Sequence, residues 1–147
     1  LIIYPDGKFL RQMNAKDGYA VKLAIQKGYT IIIITGGREQ NIKSRLEKLG
    51  VKEVFLGAHN KLPILKSFMK KNNLTQKEVL YMGDDIPDLG ALKYVGFSCC
   101  PSDAAYDIKN ICNYISNKKG GEGCVRDVIE QTLRLTKKWN LDEDIEY

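Results

Sequence analysis

The chain has 147 residues, of which 44% are hydrophobic and 28% charged, with a formal net charge of +5. That length suits one domain with a sizeable core, and the composition is that of a globular protein rather than a disordered or fibrous one. The basic residues are spread out and read as a solvated surface, a charge that is compatible with small anionic substrates. Lys43, Arg45 and Lys48 fall on one predicted helix and Lys70 and Lys71 at the end of another, where a nucleic-acid surface needs a denser stripe.

No apolar run approaches the ~18 residues of a membrane span, and no signal peptide is visible. Cys99, Cys100, Cys112 and Cys124 form no C-x-x-C pair, and the chain has one histidine, His59. A zinc site is therefore not expected, and the adjacent Cys99 and Cys100 read as small core residues in the reducing compartment of a cytoplasmic protein.

In chain order, LIIY, Pro5-Asp6-Gly7 and KFLRQM predict a β-hairpin, since Pro-Asp-Gly is turn chemistry. A helix is expected to open at Asp17-Gly18 and run to about Lys27, with Ala20, Val21, Ala24 and Ile25 on one face and Gly28 as its stop. YTIIIIT is a β-branched run that fits a parallel strand buried on both faces. A helix follows over about 39–49, a strand at VKEVFL and a helix over about 61–71. VLYM is the next strand, Pro87 to Val95 a helix, GFSCC a strand, Asp103 to Asn110 a short helix and Asn113 to Ser116 a short strand. The loop Gly120-Gly121-Glu122-Gly123 precedes a final amphipathic helix from Val125 to about Trp139, and LDEDIEY reads as a frayed acidic tail. Repeated strand–helix units of this size predict an α/β fold: a Rossmann-like open parallel sheet with helices on both faces, plus the N-terminal hairpin. No insertion is large enough for a separate cap domain.

In such a sheet, ligands bind beyond the carboxyl ends of the strands. Three of those ends carry polar groups. Thr35-Gly36-Gly37 leaves a hydroxyl and bare backbone N–H groups, which suit a phosphate or a plain helix cap. Gly57-Ala58-His59-Asn60-Lys61 offers an ammonium, with His59 as a loop residue. Gly83-Asp84-Asp85-Ile86-Pro87-Asp88 places three carboxylates where capping needs one, so a hard cation such as Mg2+ is the expected partner. Together, hydroxyl, ammonium and carboxylates would surround a transferring phosphoryl group.

These residues resemble the motifs of the haloacid dehalogenase superfamily of phosphohydrolases. IIIITGG is similar to its second motif, Lys61 to its third and GDDIPD to its fourth. The ordered set NAKDGYAV, ITGG, Arg45, YMGDDIPD, CCPSDAA and GGEGCVRD resembles the capless, tetrameric phosphatases of sugar-acid phosphates within it. The resemblance implies Mg2+ on Asp84, with Asp85 and Asp88 fixing the lysine and the metal's waters. Thr35 would hydrogen-bond the phosphoryl group, with Gly36 and Gly37 beside it, and Lys61 would stabilise its charge. Asn14, Ala15, Lys16, Asp17 and Gly18 would form a substrate loop, and Lys22 and Arg45 would face the substrate. A homotetramer is implied, in which the hairpin and the Gly120–Gly123 loop close a neighbour's site.

Two departures stand out. The family's D-x-D-G motif, which supplies the aspartyl nucleophile and an acid/base Asp, is expected just before Leu1, since neither Asp6 nor Asp17 fits it. Gly37 also stands where arginine commonly follows Thr-Gly, with Arg38 next in line. Two other readings follow: a phosphatase for a nine-carbon keto-deoxy sugar-acid 9-phosphate, and a domain without turnover that serves only oligomerisation.

Overall fold

The computed structural model describes residues 2–6, 9–10 and 13–140. The hairpin forms as expected: strands β1 (Ile2–Ile3) and β2 (Phe9–Leu10) pair antiparallel, Ile2 opposite Leu10. The acidic tail expected over 141–147 lies outside the described residues.

Helix α1 spans Ala15–Gln26, so it starts before the expected Asp17-Gly18. Asn14 sets that start, because its side chain accepts the Lys16 amide at 2.8 Å and satisfies one of the otherwise unpaired N–H groups of the first turn. The expected loop 15–18 is therefore the first turn of a helix. Gly28, at φ +90°, ends the segment after α1 in a conformation that side chains resist.

Strand β3 (Ile32–Ile34) pairs parallel with β4 (Glu53–Phe55). Between them, α2 (Gln40–Lys48) packs Leu46 against Val21, Val51 and Val54. Helix α3 (Lys61–Lys71) buries Leu65, Phe68 and Met69. Strand β5 (Leu80–Met82) is followed by a 3-10 turn over Ile86–Asp88 and helix α4 (Leu89–Tyr94), where a single helix from Pro87 was expected. Strand β6 (Phe97–Cys100) pairs parallel with both β5 and β7 (Tyr114–Ile115). Helix α5 covers only Tyr106–Lys109, and α6 covers Cys124–Leu135, stopping short of Trp139. Lys137 at φ +57° turns the chain there, and Trp139 N–H folds back onto the Leu133 carbonyl.

The fold is α/β and Rossmann-like, with parallel strands joined through helices. Its parallel strands form two ladders, β3–β4 and β5–β6–β7. No ladder joins β3 to β5 among the described residues. Ile32, Ile33 and Ile34 are accordingly half-buried, not buried on both faces as expected. The reason is local: among the described residues β3 is flanked on one edge only, whereas β6 is flanked on both and buries Ser98, Cys99 and Cys100 almost fully. Helix α3 bridges the two halves, since Ile34 of β3 and Tyr81 of β5 both pack against its Leu65–Met69 cluster with Ala91. Helices α1 and α6 pack on each other, and no helix of the described residues is long and apolar enough to cross a membrane. The four cysteines are free thiols, three of them buried, and burial pushes Cys99 and Cys100 up to about 12, so both stay protonated and inert.

Candidate active site

Three strand ends meet through α3. Thr35 follows β3, and its backbone is tied into both neighbouring loops: its N–H donates to the Phe55 carbonyl and its carbonyl accepts the Ala58 N–H, each at 2.9 Å. The Thr35 hydroxyl accepts the Gly37 N–H at 3.1 Å. That bond folds the Gly36–Gly37 turn and spends the Gly37 donor, while the Thr35 hydroxyl proton remains able to donate. The Gly36 N–H makes no hydrogen bond among the described residues, so of the two glycine amides it is the one left open to an anion.

Gly57, at φ +65°, turns the next loop toward Thr35. Arg38 lies over it, 3.5 Å from His59 Nε2, which makes His59 a loop-packing partner. Lys61 opens α3 after Asn60 and sends its Nζ to Asp88 Oδ1 at 2.7 Å. The Lys61 side chain is 16% exposed and that of Asp88 4%, so this is a nearly buried ion pair. Its desolvation is offset because both carboxylate oxygens find donors. Asp88 Oδ1 also accepts the Tyr81 hydroxyl at 2.7 Å, and Oδ2 accepts the Asp84 N–H at 3.3 Å.

Gly83 makes this possible. A Cβ there would lie 2.5 Å from Asp88 Cβ and Cγ, so glycine is required for close approach. The main chain of Gly83 and Asp84 is fixed on both sides, Gly83 N–H to the Cys99 carbonyl and Ala105 N–H to the Asp84 carbonyl. The Asp84 side chain is exposed, and no side chain among the described residues hydrogen-bonds or ion-pairs with its carboxylate. Partial burial and then the Asp88 charge push that carboxylate above its ordinary value, with Lys61 pulling the other way. An accessible carboxylate held at an energetic cost beside another is a site that gains from a cation. Asp85 caps the 3-10 turn, accepting the Ile86 N–H at 2.8 Å. Among the described residues no three His, Cys, Asp or Glu side chains converge as a complete ligand set. One carboxylate, water and a substrate phosphate is a usual Mg2+ environment, so the donor set fits that ion.

The other residues expected at the site gather around the first turn of α1. Asn14 Nδ2 donates to the Gly121 carbonyl at 3.3 Å, and the Asp17 carboxylate accepts the Arg126 N–H at 2.8 Å. Burial pushes Asp17 up, opposed by that N–H bond. Gly18 is buried beside Leu49, with an Arg45 guanidinium nitrogen 3.8 Å from where its Cβ would lie. Ala15 and Lys16 are exposed, and Lys22 is half-buried on the same helix. In this chain Asp17 and Gly18 thus hold α1 to α6 and α2. The Gly120–Gly123 loop is fastened as well: Gly120 N–H donates to Asp103 Oδ1 at 2.8 Å.

Tyr81 was read from the sequence only as a strand residue. Its signal was present: a tyrosine turned into a half-buried strand needs a partner for its hydroxyl. A groove of about 220 Å3 along α6, lined by Lys118, Arg126, Asp127 and Glu130 among others, lies away from these strand ends.

Residues 52–129 match the haloacid dehalogenase-like hydrolase family. The chain is also 30% identical over 138 residues to the 3-deoxy-D-manno-octulosonate 8-phosphate phosphatase of Salmonella typhi, covering 94% of this chain and 72% of that one. The chain belongs to the haloacid dehalogenase-like hydrolases. Within that family it is a phosphatase, as these relatives are. A crystal structure of the 3-deoxy-D-manno-octulosonate 8-phosphate phosphatase of Yersinia pestis superposes with a TM-score of 0.88 at 28% identity, covering 93% of this chain and 74% of that one. The Moraxella catarrhalis enzyme, solved with a magnesium ion, a phosphate ion and a KDO molecule, superposes at 0.86 with 30% identity, covering 90% and 76%.

Proposed function

We propose that this protein is a Mg2+-dependent cytoplasmic phosphatase of a sugar-acid phosphate, 3-deoxy-D-manno-octulosonate 8-phosphate, in lipopolysaccharide sugar biosynthesis. The observation that supports it most is the convergence of Thr35, Lys61, Asp84 and Asp88 from three strand ends, in a chain 30% identical to phosphatases of that substrate. Thr35 donates its hydroxyl proton to a phosphoryl oxygen, alongside the Gly36 N–H. Lys61 neutralises charge on the transferring group, and Asp88 keeps it aimed. Asp84 would hold Mg2+, with Asp85 beside it, and the bound ion supplies charge neutralisation between anionic nucleophile and anionic ester.

The attacking group is a further aspartate of a D-x-D-G strand, which we place between β3 and β5. Its support is that each of these strands pairs on one edge only among the described residues and that neither is fully buried: Ile32–Ile34 are half-buried and Leu80 of β5 is exposed. That aspartate attacks phosphorus to give an aspartyl-phosphate, and the second protonates the leaving alcohol and then activates water. Lys16, Lys22, Arg45 and the backbone at Asn14 and Ala15 would bind the sugar acid, with a neighbouring subunit of a homotetramer closing the site.

The Gly37-Arg38 departure keeps the nine-carbon 9-phosphate as a second substrate, because Arg38 is turned onto Gly57 and His59. The test is phosphate release from both substrates by the native full-length protein with Mg2+, alongside its mass in solution. Preferred hydrolysis of the eight-carbon ester by a tetramer is expected. No release from either ester, with the D-x-D-G strand present, overturns the reading and leaves an oligomerisation domain.

A further inference from the structure

The Lys61–Asp88 ion pair has a third member. Tyr81 and Lys61 donate to the same oxygen, Asp88 Oδ1, each at 2.7 Å. Charge pairing needs only one of them. With Lys61 alone, the carboxylate can turn about its Cβ–Cγ bond and the long lysine side chain can follow. Two donors on one oxygen, from different elements, remove that freedom: Tyr81 comes from β5 and Lys61 from α3.

The position of the Tyr81 hydroxyl is itself set by packing. The ring lies against the Leu92–Ile108 cluster and against the Leu65–Met69–Ala91 cluster at once. Phenylalanine would satisfy both clusters, so the hydroxyl is explained by Asp88 and not by the core. The third donor on Asp88, the Asp84 N–H, ties the same carboxylate to the residue placed at the cation. Tyr81, Asp88, Lys61 and Asp84 therefore form one hydrogen-bonded unit spanning two motifs.

We propose that Tyr81 is a positioning residue of the phosphatase, holding the Lys61 ammonium, through Asp88, where charge on the transferring phosphoryl group is neutralised. The catalytic part of this rests on the function proposed above, while the placement of the ammonium does not. Positioning acts on the transition state more than on the bound substrate.

The experiment compares Tyr81→Phe with the wild type as the native full-length protein. The kcat for the sugar-acid phosphate is expected to fall about tenfold, the scale of one charge-assisted hydrogen bond, with KM changed by less than about twofold. In an Asp88→Ala background the same substitution is expected to cost nothing further, because no side-chain acceptor remains to link Tyr81 to Lys61. The Lys61 ammonium signal in 15N–1H NMR, assigned by its loss in Lys61→Arg, is expected to broaden in Tyr81→Phe. A kcat within about twofold of wild type, or an equal loss in the Asp88→Ala background, overturns the proposal. Should the wild type hydrolyse no sugar-acid phosphate, the proposed function fails and the NMR arm decides: broadening supports the placement of the ammonium, and an unchanged signal overturns it.

Discussion

The two halves of the sheet treat their strands differently. In β5–β6–β7 the middle strand has partners on both edges, and Ser98, Cys99 and Cys100 are at most 3% exposed. In β3–β4 the strand with the most apolar sequence, Ile32–Ile34, is only half-buried. Hydrophobicity alone therefore does not decide burial. A strand is sealed when neighbours cover both edges and helices cover both faces, and among the described residues β3 has a neighbour on one edge only. The polar ends of the halves differ in the same sense. The Thr35 end offers one hydroxyl and one open N–H on backbone held by the adjacent loop. The Asp84–Asp88 end is a locked cluster in which Asp88 is buried with three donors on it.

The largest expected effect tests the locked end. Asp84→Asn should reduce turnover by more than about a thousandfold, measured by phosphate release, with an unchanged circular dichroism spectrum. Because the Asp84 pKa is raised in the fold, its charge opposes folding at neutral pH. The sign follows: any stability linked to Asp84 is present at low pH and lost as pH rises through the raised value. Without Mg2+, Asp84→Asn should therefore melt no lower than wild type, and it should lose the rise in melting temperature that Mg2+ gives the wild type. Mg2+-dependent activity in the variant would overturn the assignment of the cation to Asp84.

Next in size is the ion pair. Asp88→Ala leaves Lys61 and the Tyr81 hydroxyl without their partner and should cost about 3–5 kcal/mol in urea unfolding. Pairing it with Lys61→Met should recover part of that loss, since no buried charge then remains. Gly83→Ala should cost about 1–3 kcal/mol, because its methyl group must displace Asp88. No loss there would mean that Asp88 is not held beneath Gly83.

Hydrogen exchange sharpens the comparison of strands directly. Amides of Cys99 and Cys100 in β6 should exchange on the order of a hundredfold more slowly than those of Ile32–Ile34 in these residues alone. Adding the strand proposed between β3 and β5 should narrow that gap, and an unchanged gap would count against its placement.

The smallest effect lies at the far side of β7. Burial pushes the Asp127 carboxylate up, but hydrogen bonds from Ser116 at 2.6 Å, Gln131 at 3.0 Å and Tyr114 at 2.8 Å outweigh it and hold the group below its ordinary value. A lowered carboxylate contributes stability above the unfolded value of about 3.9 and loses it as pH falls through the folded one. The stability difference between wild type and Asp127→Asn should accordingly shrink below about pH 4 in acid unfolding. A difference independent of pH would assign the Asp127 contribution to shape, not charge.

Most of the elements were legible. Gly50, at φ +90°, ends the segment after α2 as its position predicts, and the order of strands and helices follows the apolar periodicities. Asp17-Gly18 misled because the pair looks like a helix start, while the true cap, Asn14, lies three residues earlier. Tyr81 escaped because its partner, Asp88, becomes its neighbour only after the chain turns at Gly83.

The sequence by itself determined the strand–helix alternation, the three polar strand ends and the family they belong to, since each depends on residue types close together in the chain. Tertiary structure alone decided which groups act as one. Lys61 and Asp88 are 27 positions apart, and Asp17 and Arg126 are 109 apart. Such pairs form only when helices close over the sheet, because hydrogen bonds at 2.7–2.8 Å demand placement that no local pattern specifies.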